Sequence, residues 1–152
     1  MTKTGELEIE IAYSDSFTEA LRSGNVYAET PLTISSSGSF LRTPEGDRFE
    51  VSEFIITLIP RLLQASVDVL NGNEVMLEFH STSVALSFRP DSENVSIRAH
   101  IGSEVGPPLD TTPDALRTGC SATAEEFLDF INTTSPELAC NKKVTQIEEM
   151  VH

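Results

Sequence analysis

From residue 6 to residue 13 the chain alternates without a break: Leu7, Ile9, Ile11 and Tyr13 fall on one side, Glu6, Glu8 and Glu10 on the other. A two-residue period of this kind predicts a strand with one buried and one wet face. Ser16, Phe17, Thr18 and Glu19 then have the spacing of a capping box, which predicts a short helix to Arg22 that stops at Ser23-Gly24. Residues 26–34 read as extended, but Pro31 has no amide hydrogen to offer a neighbour, so they are placed at best on a sheet edge. Ser35, Ser36, Ser37 and Gly38 read as a loop. Residues 39–42 and 48–51 flank Pro44-Glu45-Gly46-Asp47, a hairpin pattern.

The pattern then changes. Ser52 is placed to cap a helix over residues 54–70 that is apolar nearly all round, so it is buried on more than one side. Pro60 lies inside it and predicts a kink. Two buried faces imply a central helix under a sheet or a helix at an oligomer interface. Residues 75–80, 83–89 and 95–101 alternate again and are joined by short turn-rich links, which predicts an antiparallel meander. Its inner face, with Leu77, Leu86 and Ile97, is expected to cover Leu58 and Leu62 of the helix. Residues 102–119 hold Pro107-Pro108, Pro113 and Gly119 and read as a long Pro/Gly-rich loop. Thr123-Ala124-Glu125-Glu126 is a second capping box, expected to open a helix through Ile131. Pro136 is expected at the first position of a last helical stretch, whose end, residues 144–152, should fray. The fold class is therefore α+β in one domain: an N-terminal strand, a hairpin and a three-strand meander form an antiparallel sheet on a kinked apolar helix, with C-terminal helices.

Charge narrows the function. Asp and Glu number 24 against 10 Lys and Arg, a net charge of −14 in 152 residues. The excess is spread along the chain and is not gathered in a tail. A field of this sign repels nucleic-acid phosphates and anionic lipid, so neither nucleic acid nor membrane is an expected partner. No run of apolar residues is long enough to span a bilayer. The start of the chain has no apolar stretch of the secretory kind, so a cytoplasmic location is expected, with Cys120 and Cys140 reduced. Lysine occurs only at Lys3, Lys142 and Lys143. That acidic, lysine-poor composition resembles proteins of salt-loving archaea, which speaks of habitat and not of activity.

Chemical motifs are sparse. The chain has no GxGxxG, no GxxxxGK[ST], no HExxH and no GxSxG, so no cofactor and no metal are expected. Pairing Phe79 with Val84 and Phe88 with Val95 writes out the wet face of the meander as rows. His80, Ser83 and His100 then share a row, and Glu78, Ala85 and Arg98 share the next. The candidate site is thus His80, His100, Glu78 and Arg98, a groove with two imidazoles, a carboxylate and a guanidinium. A solvated sheet face with cross-strand polar pairs explains the same residues, and a one-residue slip of register would abolish the groove. The expected function is a small acidic non-enzymatic protein that binds another protein, as a regulator, adaptor or immunity-type partner. Two alternatives remain: a small hydrolase or metal-dependent enzyme using the His80/His100 groove, and a homo-oligomeric structural module held by its apolar helix.

Overall fold

In a computed structural model of the chain, which describes residues 6–151, the alternating N-terminal segment is strand β1 (Leu7–Ile11). Leu7, Ile9 and Ile11 are buried and the glutamates between them face solvent. Helix α1 (Asp15–Arg22) follows, and its cap differs from the expectation. Ser14 lies in extended backbone and accepts from the Phe17 amide at 3.2 Å, whereas Ser16 is already helical. The helix stops where expected, at Ser23-Gly24, with Gly24 at φ +87°.

Strand β2 (Glu29–Ser36) is central and not an edge. It pairs with β1 on one side and with β3 (Ser39–Phe40) and β4 (Val51–Phe54) on the other, all antiparallel. Pro31 is tolerated for a local reason. Its carbonyl accepts from the Ala12 amide at 3.0 Å, just past the end of β1. The return bond that proline cannot make is replaced by the Thr30 hydroxyl, which donates to the Ala12 carbonyl. Toward β4, Pro31 faces Ser52 at a position where antiparallel strands exchange no hydrogen bond. Ser35 and Ser36, expected in a loop, belong to β2. The turn is only Ser37-Gly38, with φ +50° and +87° as a type I′ turn requires. The turn expected about Pro44–Asp47 is present, closed by an isolated Arg42–Arg48 bridge, but its arms do not pair as two strands, since β3 and β4 each pair with β2.

Helix α2 (Ile55–Leu70) starts later than its expected cap, because Ser52 is in β4 and that strand runs directly into the helix. It contains Pro60 and buries nine residues, Leu58 and Leu62 among them. The second sheet is formed by β5 (Val75–Glu78), β6 (Val84–Asp91), β7 (Asn94–Ile101), β8 (Glu104–Val105) and β9 (Leu109–Thr111), with β8 and β9 both on β7. The first hairpin has the expected register, since the Phe79 amide donates to the Val84 carbonyl at 2.8 Å. The second is displaced by two residues: Phe88 faces Ile97, not Val95. The expected five-residue link is a two-residue turn, Ser92-Glu93, with Ser92 at φ +60°, so β6 and β7 run closer to the tip.

Residues 102–119 are not a loop. They contain β8, β9 and the first turns of α3 (Pro113–Thr134). Thr112 caps α3 by accepting from the Ala115 amide at 3.1 Å, and Pro113 takes the first helical position. Thr123 is therefore mid-helix and no cap; its hydroxyl donates to the carbonyls of Gly119 at 2.9 Å and Ile9 at 3.1 Å. A 3₁₀ turn (Pro136–Cys140) leads into α4 (Lys142–Val151), where Val144 and Ile147 are buried and hold the stretch expected to fray. His152 lies outside the described residues. Helix α2 sits centrally, packed against α3, α4, β5 and β6. Cys120 and Cys140 are not bridged. Cys120 is buried within α3, which pushes its thiol up to about 12 and leaves it protonated at neutral pH.

Candidate functional site

The two-residue displacement of β7 rearranges the expected polar rows. The observed rows are Met76–Ser87–Arg98 and Glu78–Ala85–His100. His80 lies beyond β5 and has no histidine opposite it. It lines a cleft of about 350 Å³ between α2 and β5. His100 lines a separate cleft of about 290 Å³ with Ser83 and Ala85, and Glu78 borders both. Arg98 donates to the Gly106 carbonyl at 3.2 Å and stands one row from Glu78. The row of two imidazoles over Ser83 does not form. Among the described residues, no group of three or more His, Cys, Asp or Glu is arranged to hold a metal ion.

A buried electrostatic cluster that the sequence pattern did not single out centres on Glu53. Glu53 is fully buried. Its carboxylate accepts from the amides of Phe54 at 2.9 Å, His80 at 2.6 Å and Ser81 at 3.0 Å, and from Arg61 Nη2 at 3.0 Å. Burial alone would raise its pKa; the His80 and Phe54 amides, Arg61 and Ser81 outweigh that and hold it below the ordinary carboxylate value. Arg61 also donates to the carbonyls of Thr57 and Glu78. This cluster ties the turn after β5 to the junction of β4 and α2. Every oxygen of Glu53 is engaged, so it is a clamp and not a free acid. Its signal in the sequence was parity: Phe49, Val51 and Glu53 share one side of an extended segment, and Phe49 is fully buried.

A concavity of about 550 Å³ lies elsewhere, between β1 and α3. One wall is the wet face of the N-terminal strand, Glu6, Glu8 and Glu10. The other is a ridge of α3 at four-residue spacing, Asp114, Thr118, Ala122 and Glu126. Small residues of α3, including Ala115 and Gly119, line it with Leu7 and Ile9. Five carboxylates thus border a largely apolar floor, and among the described residues no cationic side chain lines it. Gly119 makes the close approach possible, because a Cβ there would lie 2.7 Å from the Leu7 carbonyl oxygen. With Thr123 on the Ile9 carbonyl, α3 covers the edge of β1 that β2 leaves unpaired. Beyond Glu126, the Tyr13 ring packs 4.4 Å from Phe130. Burial, and then the negative charge of Glu126, push the Tyr13 phenol up, and its hydroxyl has no hydrogen-bond partner among the described residues. The chemistry of the groove is attraction for cationic groups with apolar stems.

No known family matches the chain, and no curated protein or solved structure is significantly similar to it. Among the described residues, no helix is long and apolar enough to cross a membrane.

Proposed function

We propose that this chain acts by binding another protein, as a regulator, adaptor or immunity-type partner, and not as an enzyme. The observation that carries the reading is the β1–α3 groove, where five carboxylates border an apolar floor and no cation lies among the described lining residues. A net charge of −14 supports a protein partner over nucleic acid, because phosphates are repelled. The proposed setting is the cytoplasm. The enzyme alternative needed His80 and His100 to converge, and they line separate clefts. The oligomer alternative needed a bare face on α2, and α3, α4, β5 and β6 pack around that helix within the chain.

The test is affinity purification from the native host at native salt with two tagged variants. Ala122→Arg fills the groove from an exposed helical position, and Glu125→Arg adds the same residue on the same helix outside it. The reading expects a stoichiometric protein partner with the wild type and Glu125→Arg, lost with Ala122→Arg. A partner retained equally by both variants, or no partner at all, refutes it.

A further inference from the structure

We infer that the part of the partner that occupies the β1–α3 groove is a short basic segment, held by its side chains across the groove and not by joining the sheet as an added strand. This rests on the protein-binding reading above. The partner's charge follows from the walls: among the described residues every ionisable side chain lining the groove is an acid, Glu6, Glu8, Glu10, Asp114 and Glu126. Spacing gives the size. Glu6 to Glu10 spans about 13 Å at a strand's rise, and Asp114 to Glu126 about 18 Å at a helix's rise. About five extended residues cover that length, with alternate side chains falling at the two-residue repeat of the glutamates. Arg and Lys suit such a site, because their methylene stems lie on apolar surface while the charged ends reach the carboxylates.

The mode follows from the edge of β1. Strand addition needs a free row of main-chain donors and acceptors. Two of the outward carbonyls of β1 are covered: Leu7 O lies under Gly119 and Ile9 O accepts the Thr123 hydroxyl. An added strand would have to displace α3, whose Leu116, Cys120, Ala124 and Phe127 are buried in the core. The outer face, where the glutamate side chains stand, remains open.

Fluorescence anisotropy with a labelled six-residue peptide of alternating arginine and threonine tests both parts. A second peptide carries N-methyl groups on alternate backbone amides. The inference expects binding that weakens as salt rises, at least a tenfold loss in the Glu8→Gln/Glu10→Gln double variant, and less than a twofold loss in the Glu125→Gln/Asp129→Gln double variant of equal net charge. It expects less than a twofold change on N-methylation. Equal loss in both doubles would mean only the general negative field acts, and would overturn it. A large loss on N-methylation would indicate strand addition, and absence of peptide binding would remove the basic segment; either overturns it. If the peptide fails while Ala122→Arg still releases the native partner, this inference falls and the protein-binding reading stands. If Ala122→Arg keeps the partner, the reading itself falls.

Discussion

Replacing Glu53 by Gln keeps the side chain's shape and removes its charge; replacing it by Ala removes the acceptor altogether. In the wild type the carboxylate is fully buried and accepts four hydrogen bonds, from Phe54, His80, Ser81 and Arg61. Hydrogen bonds to a charged group are worth about 1.5–3 kcal/mol each. They do not add, because Arg61 keeps its Thr57 and Glu78 carbonyls and is 27% exposed, so water can reach it. Removing one partner of a buried ion pair costs about 3–5 kcal/mol, and Glu53→Ala should fall in that range. Glu53→Gln should cost less, since one amide oxygen still accepts, but its NH₂ group faces the donors that the second carboxylate oxygen satisfied. The pH dependence has a definite sign. The folded pKa is lowered, so the stabilisation is fully present above the unfolded value of about 4.3 and is lost as pH falls through the folded value. Urea denaturation at pH 7 should therefore separate wild type from Glu53→Gln, and the two curves should converge in acid. A Glu53→Ala midpoint at pH 7 within error of the exposed control Glu125→Ala would refute the reasoning, as would a gap that widens on acidification.

Leu58→Ala should cost about 2–5 kcal/mol through lost transfer energy and a cavity in the packed core, because Leu58 is 1% exposed; a denaturation midpoint like a surface variant's would contradict that. Gly119→Ala separates two effects by sign: helix propensity alone would stabilise by up to about 1 kcal/mol. The 2.7 Å approach to the Leu7 carbonyl should instead destabilise by about 1–3 kcal/mol, so a raised melting temperature would sink the packing argument. Raising KCl shortens the Debye length from about 30 Å at 0.01 M to about 3 Å at 1 M, and with a net charge of −14 the melting temperature should climb; a flat or falling curve would exclude carboxylate repulsion as a destabilising force. Stoichiometric Zn²⁺ should not shift melting, and His80→Ala and His100→Ala should each change stability by under about 0.5 kcal/mol; a zinc-dependent shift abolished by both variants would restore the histidine site.

Local periodicity was enough for much of this protein. The alternation of Leu7, Ile9 and Ile11 against the glutamates specified β1 and its wet face, because side-chain direction in a strand depends only on position. The all-round apolar run specified α2 as an internal helix, and the meander of β5, β6 and β7 followed from short links between alternating segments. What failed depended on which segment meets which. Pro31 looked like an edge marker, and the Thr30 hydroxyl and the end of β1 made it harmless in a central strand. Gly119 and the Thr112-Pro113 pair that opens α3 looked like loop residues, until β1 packed against the helix and made a residue without a Cβ necessary at 119. The two-residue displacement of β7 kept every side chain on its expected face, since the period is two, yet it changed every neighbour and dissolved the histidine row. Both walls of the acidic groove were visible in the sequence, as Glu6, Glu8 and Glu10 and as the acids of α3. Only tertiary packing set them side by side, because they are more than a hundred residues apart and no local rule pairs them.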